Sequence, residues 1–247
     1  MPSREITEQE FLQNYRIHDY DVPLTSVDLV IFTLQSHTLK VLLVERGDHP
    51  FKGRWALPGG FVDLKRDKDL DATATRKLRE KTGVDISYLE QLQGFGSAVR
   101  DPRGWSATFA YFALIDAEGV VLSHGGGSRA AAWVAVHELE NRIDLAFDHG
   151  DIVATALQRL RAKVEYSSLP VHLLAPEFTL TDLQQVYETI LGRTVDKSAF
   201  RKRIKEGDFL EEITGKQRHG SNRPAQLYRL RSGHAVFYFN RTMSPLR

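Results

Sequence analysis

One segment of the chain joins a turn, a helix and a second turn in a fixed order, and this order limits the folds open to it. The Pro-Gly-Gly sequence at residues 58–60 is a strong turn signal. Apolar residues then recur at every fourth position, Leu70, Ala74 and Leu78, which predicts a helix with one face to bury. Gly83 follows as the expected helix terminator. The segment therefore predicts a helix held between two glycine turns.

Strands are predicted on both sides of this helix. Runs of branched apolar residues at 27–34 and 39–44 flank a short polar turn, which is typical of two adjacent strands. Further strands are predicted at 88–95, 107–115 and 131–136, and a further helix at 148–163. Because strands and helices do not alternate along the chain, this order predicts a mixed α/β sandwich and not a doubly wound sheet.

The chain is long enough for two domains, since 247 residues exceed the usual single domain. Prolines at both ends of residues 166–177 mark a connector, so we expect domains at 1–167 and 168–247. The first domain has 20 Lys and Arg against 24 Asp and Glu, and the second has 13 against 8. A basic module joined to an acidic one is one indication of nucleic-acid binding.

The second domain has the order of elements of a winged helix-turn-helix. A first helix is predicted to begin near Thr179 or Thr181, and Asp196 is placed to cap a second helix. Short strands are predicted near 209–214 and 225–231. They enclose a polar, basic hairpin tip, which is the expected wing.

The composition excludes several classes of protein. The chain has no cysteine, which excludes disulfides, zinc–cysteine sites and thiol catalysis and fits a reducing compartment. Its first residues lack an apolar core, so we expect no secretory signal. The longest apolar run, at 27–34, is interrupted by Asp28 and Thr33 and is too short to span a bilayer. The sequence therefore predicts a cytoplasmic protein that does not enter a membrane.

The turn–helix–turn segment resembles the Nudix box, in which three glutamates on one helix bind divalent cations. The alignment rests on Arg76, Leu78, Gly83 and Val84. It places Lys77 and Lys81 at two of the three glutamate positions and leaves Glu80 at the third. The upstream glutamate position falls on Lys68, and the loop before it is two residues too long.

The substituted positions change the chemistry of the box. Positions 77, 80 and 81 share one helix face because they are spaced i, i+3, i+4. Mg²⁺ takes oxygen ligands and generates the attacking hydroxide, whereas ammonium groups repel a cation but neutralise a bound pyrophosphate. We therefore expect no metal site and no catalytic residue, with Glu80 as the residual Nudix glutamate. Four aspartates are expected to solvate the long loop and cap the helix, a substitute metal site being the alternative: Asp63, Asp67, Asp69 and Asp71.

Segments 44–47, 50–55 and 100–104 look like the ADP-ribose branch of Nudix proteins. Together with the basic winged helix, they make the chain resemble the Nudix-related transcriptional regulators of NAD metabolism, the NrtR family. The resemblance implies an α+β chain with an N-terminal Nudix-type α/β/α sandwich and a C-terminal winged helix-turn-helix. It also implies a homodimeric repressor that binds a double-stranded DNA operator and uses ADP-ribose as an effector, without a cofactor.

The resemblance also implies a ligand site, carried over residue by residue. The expected effector-binding residues are Arg46, Arg54, Gly60, Arg76, Lys77, Lys81, Arg100, Asp101 and Arg103. Arginine side chains would fork onto phosphate oxygens. Arg76 has an alternative role as an i, i+4 partner of Glu80. Trp55 or Phe61 either stacks on a base or fills the core.

The second helix of the winged domain predicts a DNA contact surface. The expected DNA-binding residues are Lys197, Ser198, Arg201, Lys202 and Lys205 on the helix and Lys216, Arg218 and Arg223 on the wing. Arg201 is the candidate for guanine readout, because arginine binds the two guanine acceptors bidentately. Ala199, Phe200 and Ile204 are expected to face the core. The alternative is a solvated helix in a protein-interaction domain.

Two other functions remain open from the sequence alone. One is an active Nudix ADP-ribose pyrophosphatase with an accessory domain, which Glu80 keeps in consideration. The other is a regulator of the same architecture that senses a different phosphorylated metabolite.

Overall fold

The computed structural model describes residues 6–84, 87–116, 118, 120–123, 127–142, 144–218, 224–231, 236–240 and 243. The α-helices in these residues are α1 (Glu8–Asn14), α2 (Leu70–Thr82), α3 (Val136–Arg142), α4 (His149–Val164), α5 (Leu180–Leu191) and α6 (Lys197–Gly207). The strands are β1 (Leu24–Gln35), β2 (Thr38–Arg46), β3 (Trp55–Ala56), β4 (Gly59–Phe61), β5 (Tyr88–Ser97), β6 (Ser106–Leu114), β7 (Ser128–Ala135), β8 (Phe178–Thr179), β9 (Leu210–Arg218) and β10 (Ala225–Leu230). Short 3-10 turns lie at Ile17–Asp19 and Leu169–Leu173.

A mixed seven-stranded sheet forms the centre of the N-terminal part. Its strands lie in the order β3-β2-β1-β6-β5, with β4 also paired to β1 and β7 to β2. Strands β1 and β6 run parallel, and the other pairs are antiparallel. Leu29 and Ile31 of β1 pack in one cluster with α2, whereas Val30 and Phe32 pack in another with α4. Because alternate β1 residues meet helices on opposite faces, the predicted α/β/α sandwich is confirmed.

Helix α2 forms where the apolar spacing predicts it. The side chain of Asp69 caps its first turn by accepting a hydrogen bond from the backbone N–H of Ala72 at 2.7 Å. Ala74 and Leu78 are fully buried. Gly83 ends the helix in the left-handed conformation, with φ 69°, which glycine adopts without steric cost.

The C-terminal part is a winged helix-turn-helix, as predicted. Thr179 and Asp182 form a reciprocal capping box at the start of α5, and Asp196 caps α6. Strands β8, β10 and β9 form a small sheet in that order. Phe200 of α6 packs edge-on against Tyr187 of α5, with ring centroids 5.2 Å apart. This contact seats the second helix on the first.

The expected inner face of α6 was wrong at one position. Phe200 and Ile204 are buried, but Ala199 is exposed and Arg203 is half-buried in its place. The apolar stripe is centred on residues 200, 204 and 207, so the preceding residue is rotated by about 100° toward solvent.

The two parts of the chain share one hydrophobic cluster. It joins β1 and α4 of the first part to Leu169, Leu183 and Phe200 of the second. The backbone of Ser167 forms an isolated bridge with Tyr238, so the end of the chain returns to the connector. Division at residues 167 and 168 remains a prediction. No helix in the described part of the chain has the length and apolar character needed to cross a membrane.

Candidate functional sites

A cavity of about 200 Å³ lies beside the glycine turn. Residues from β1, β2, the turn leading into β4, the last turn of α2 and the loop between β5 and β6 line it. The turn approaches β1 closely, because a Cβ atom at Gly59 would lie 2.4 Å from Oδ1 of Asp28. A glycine is therefore required here to bring the turn against the floor of the cavity.

A buried ion-pair network centred on Arg100 forms one wall of the cavity. Nε and Nη2 of Arg100 donate to the two carboxylate oxygens of Asp148 at 2.8 and 2.7 Å. Nη2 of Arg100 also lies 3.6 Å from Oδ2 of Asp28. Burial alone would raise the pKa of Asp28, but His149 and Arg100 hold it below its usual value. Asp28 is therefore an anion inside the cavity.

His149 is oriented by the backbone of the same turn. Its Nδ1 accepts a hydrogen bond from the backbone N–H of Leu57 at 2.8 Å. An imidazole that accepts at Nδ1 carries its proton on Nε2. That nitrogen lies 3.6 Å from Oδ2 of Asp28, so His149 faces the carboxylate.

The two lysines of the box lie on the cavity side of α2. Lys81 lines the cavity, its Nζ bonds to the hydroxyl of Ser128 at 2.9 Å, and only 6% of the residue is exposed. Lys77 packs against the glycine turn, since a Cβ atom on Gly60 would meet its Cε and Nζ at 3.2 Å. Burial, with the neighbouring charge of Lys77, lowers the pKa of Lys81. The cavity therefore has a cationic end.

Two arginine–aromatic pairs frame the cavity. The guanidinium of Arg46 lies 4.7 Å from the ring centroid of Phe147, and that of Arg103 lies 5.2 Å from the centroid of Phe61. Asp101 holds Arg103 through a two-oxygen ion pair. Planar cations beside aromatic faces suit a ligand that combines phosphate groups with a heterocyclic base.

Helix α6 presents an exposed polar face opposite its buried stripe. The exposed residues on this face are Lys197, Ser198, Arg201, Lys202 and Lys205. Lys202 forms a long, exposed ion pair with Glu206, at 3.9 Å. An apolar side that seats the helix and long donors on the other side are the features of a recognition helix.

The wing residues lie beside acidic groups of the same domain. Lys216 pairs with Glu177 at 2.7 Å, and Arg218 pairs with Asp182 at 2.6 Å. Such exposed pairs are worth about 0–1 kcal/mol, so phosphate groups can displace the acids. Arg223 lies outside the described residues.

Comparison with known proteins places both parts of the chain in one family. A family model of the NUDIX domain matches residues 23–156, and one of the NrtR DNA-binding winged helix domain matches residues 170–230. The ADPR responsive transcriptional repressor NtrR of Acinetobacter baylyi is 46% identical over 239 residues, which cover 96% of this chain and 94% of the relative. The chain belongs to the NrtR family.

Solved NrtR structures agree with this assignment. Shewanella oneidensis NrtR complexed with a 27mer DNA is 39% identical, with a TM-score of 0.81 over 89% of this chain and 99% of that chain. The NUDIX domain of the same protein complexed with ADP ribose is 41% identical, with a TM-score of 0.59 over 63% of this chain and 99% of that chain.

Most of the effector-binding residues predicted from the sequence lie together at the cavity. Six of the nine line the cavity: Arg46, Gly60, Lys81, Arg100, Asp101 and Arg103. Lys77 touches Gly60 from outside the lining. Arg54 lies elsewhere, paired with the exposed Asp144 at 2.8 Å and placed over the ring of Phe51.

Arg76 also points away from the cavity. Its Nε and Nη2 donate to both oxygens of Asp67, at 2.7 and 2.5 Å, and its Nη1 donates to Glu80 at 3.0 Å. Asp67 in addition accepts a hydrogen bond from the backbone N–H of Asp63. Arg76 therefore fastens the long loop to α2, which favours its alternative role with Glu80 over ligand binding.

The box does not fit the divalent metal that Nudix chemistry uses. Glu80 bonds to Arg76 and also to Lys77, at 3.3 Å, and these cations hold its pKa below the usual value against the effect of burial. The adjacent position, Lys81, offers an ammonium where a metal needs an oxygen ligand. Within the described ranges, no three acidic or histidine side chains are grouped to hold a metal ion.

Several cavity residues were not predicted from the sequence. Asp28, Ser106 and His149 are buried polar residues of the lining, and Ser128 and Phe147 also line the cavity. Asp28 interrupts an apolar strand, and this interruption was the available signal. Of the two aromatic candidates, Phe61 lines the cavity and is 46% exposed, whereas Trp55 packs against the core.

Arg201 provides a direct check of the recognition helix. If it reads a guanine, Arg201→Ala should weaken operator binding by about 1–3 kcal/mol and relax the preference at one base pair. Lys202→Ala, which removes a neighbouring exposed cation, serves as control and should weaken binding to all sequences alike. Competition assays with singly substituted operators measure both effects. A uniform loss for Arg201→Ala would make it a phosphate contact.

Proposed function

We propose that this chain is a DNA-binding transcriptional repressor of NAD-metabolism genes, which acts as a homodimer and senses ADP-ribose through a Nudix domain that no longer hydrolyses it. The observation that carries this proposal is the position of Lys81. Lys81 lines the cavity, at a position where Nudix enzymes bind metal, on a chain that also carries an exposed cationic recognition helix.

The charges of the cavity support a phosphorylated ligand. Lys81, Arg46 and Arg103 line it together and offer donors to a pyrophosphate. Asp28 lies on the same lining and, as an acceptor, suits ribose hydroxyls. A cavity of about 200 Å³ is smaller than the usual 300–1,000 Å³ of ligand sites, so part of the ligand rests on the rim or widens the cavity.

The same residues argue against hydrolysis. An ammonium neutralises phosphate charge but does not ionise a water molecule as Mg²⁺ does. Glu80 is held by Arg76 and Lys77, so the remaining glutamate is engaged with cations of its own helix. The ligand is therefore retained and not consumed, as a sensor requires.

The relatives support the two partners. The Acinetobacter baylyi protein is named for its response to ADPR, and the Shewanella oneidensis protein was solved with DNA and, as its NUDIX domain, with ADP ribose. In this chain we assign ADP-ribose to the cavity and the operator to α6 and the wing.

A gel-shift titration on the DNA upstream of the gene, with and without ADP-ribose, tests the proposal. We expect specific retardation that ADP-ribose changes, because the ligand has different affinities for the free and the DNA-bound protein. The absence of specific retardation would reject the regulator. Retardation that ADP-ribose leaves unchanged would favour a regulator of another phosphorylated metabolite.

Incubation with ADP-ribose and Mg²⁺ or Mn²⁺ tests the loss of hydrolysis. We expect no sustained release of AMP and ribose 5-phosphate, because the box lacks the ligands that activate water. An active Nudix ADP-ribose pyrophosphatase run in parallel confirms the assay. Multiple turnovers by this chain would favour the alternative, an ADP-ribose pyrophosphatase with an accessory domain.

A further inference from the structure

Helix α4 connects the cavity to the recognition helix. At its first end, Asp148 binds Arg100 in the cavity wall. At its other end, the C-cap residue Glu165 contacts the winged helix-turn-helix. The helix has 16 residues and is therefore about 24 Å long, at about 1.5 Å per residue.

Glu165 lies between two arginines of the winged domain. Its carboxylate accepts two hydrogen bonds from Nη2 of Arg193, at 2.9 and 3.0 Å, in the turn between α5 and α6. Its carbonyl oxygen accepts from Nη2 of Arg203 on α6, at 2.8 Å. The guanidinium of Arg203 also lies 4.0 Å from the ring centroid of Phe239. The end of α4 thus contacts the recognition helix directly.

The hydrogen bonds at this junction are incomplete. In the described part of the chain, the buried side-chain nitrogens without a hydrogen-bond partner are Arg193 Nη1, Arg203 Nε and Arg231 Nε. Two of the three belong to the arginines that flank Glu165. A buried donor without a partner costs about 1–3 kcal/mol, so the unpaired guanidinium nitrogens beside Glu165, whose carboxylate bonds to Arg193 and whose carbonyl bonds to Arg203, leave a penalty in the observed arrangement. If the carboxylate of Glu165 moved toward Arg203, it would satisfy the unpaired donor of Arg203 but leave a donor of Arg193 without its partner.

We infer that Glu165 is the positioning residue that couples ligand occupancy to the orientation of α6, its carboxylate exchanging between Arg193 and Arg203. This inference rests on the proposed function. A phosphate in the cavity offers Arg100 an alternative to Asp148, which changes the anchoring of the first end of α4. The helix carries the displacement to Glu165, and the balance between the two arginines sets the position of the recognition helix.

The variant Glu165→Gln tests the coupling, because it keeps the size of the side chain and removes its charge. The measurement is the ratio of the operator Kd with and without ADP-ribose, from fluorescence anisotropy on the full chain. The wild-type ratio is expected in the range of about 5–150 in either direction. For Glu165→Gln we expect a ratio within about twofold of one, with the ADP-ribose Kd of the DNA-free protein unchanged within about twofold.

Glu211→Gln is the matched control. Glu211 of β9 forms an ion pair with Arg229 of β10 in the same domain, and the substitution makes the same change in net charge. We expect Glu211→Gln to change the operator Kd by the same factor with and without ADP-ribose, so the ratio of the two Kd values should stay at its wild-type value. Arg203→Lys, which keeps the charge but loses the planar group over Phe239, should reduce the ratio as Glu165→Gln does. Circular dichroism melts of each variant establish that it is folded.

The outcomes separate the two proposals. An ADP-ribose-insensitive wild type overturns the proposed function. If the wild type responds to ADP-ribose and Glu165→Gln keeps the wild-type ratio, the junction inference alone is overturned. If Glu165→Gln does not fold, the same result in Arg203→Lys overturns it. Equal loss of the ratio in Glu211→Gln also overturns it, since the effect would then be one of charge and not of position.

Discussion

Replacing Arg100 with methionine is expected to lower the free energy of unfolding by about 3–5 kcal/mol, the usual cost of removing one partner of a buried ion pair. Only 5% of the Arg100 side chain is exposed, and it faces both Asp148 and Asp28. Burial alone would lower the pKa of Arg100, but these carboxylates raise it. The variant leaves two acids near one another without their cation. Urea denaturation followed by circular dichroism measures the loss.

Arg54→Met is the control for this prediction. The Arg54 side chain is 48% exposed and pairs with Asp144, which is 77% exposed. An exposed pair of this kind contributes about 0–1 kcal/mol, so the control should unfold close to the wild type. If Arg100→Met lowered the free energy of unfolding by less than about 1 kcal/mol, the buried ion-pair network would not be what stabilises the cavity wall.

Replacing Lys81 with methionine is expected to weaken ADP-ribose binding about 10- to 150-fold. A hydrogen bond to a charged group contributes about 1.5–3 kcal/mol, and about 1.4 kcal/mol corresponds to a tenfold change in Kd. Methionine fills the buried part of the lysine side chain, so the fold is retained. Isothermal titration calorimetry with ADP-ribose measures the change. Lys65→Met, in the exposed loop before α2, should bind as the wild type does.

The pH dependence of the wild type checks the same contact. Burial lowers the pKa of Lys81, so its ammonium loses its proton at a lower pH than an exposed lysine does. We therefore expect ADP-ribose affinity to fall as pH rises toward that pKa, and the Lys81→Met variant to lack this component. If the Lys81→Met variant bound ADP-ribose with the wild-type Kd, the ammonium of Lys81 would not be part of the binding site.

Strong periodicity and capping made much of the fold predictable. Helix α2 was predictable because Leu70, Ala74 and Leu78 recur at helical spacing before Gly83, and α6 because Asp196 precedes it as a cap. Helix α1 was missed although it has a capping box, because none of its residues is buried and no apolar stripe marks it. Helix α3 was missed because it follows β7 directly, without a turn signal.

The cavity was less predictable than the fold. Arg76 and Lys77 are neighbours in sequence, but about 100° of rotation separates them on the helix. One therefore binds the loop at Asp67 and the other packs on the glycine turn. His149 lies 92 residues from its partner Leu57, a proximity that no local spacing encodes. Residue types were thus readable in the sequence, but the direction of each side chain depended on the tertiary packing.

The hydrophobic cluster shared by the two parts limits how this architecture can be recombined. Leu183 and Phe200 of the winged helix are buried in the same cluster as Val30 and Ile152 of the Nudix part. If the winged helix were fused to another sensor domain, the apolar residues that it buries against the Nudix part would therefore be transferred with the recognition helix. A functional chimera needs a recipient with a complementary face, so a new operator specificity is more readily obtained by altering the outward residues of α6.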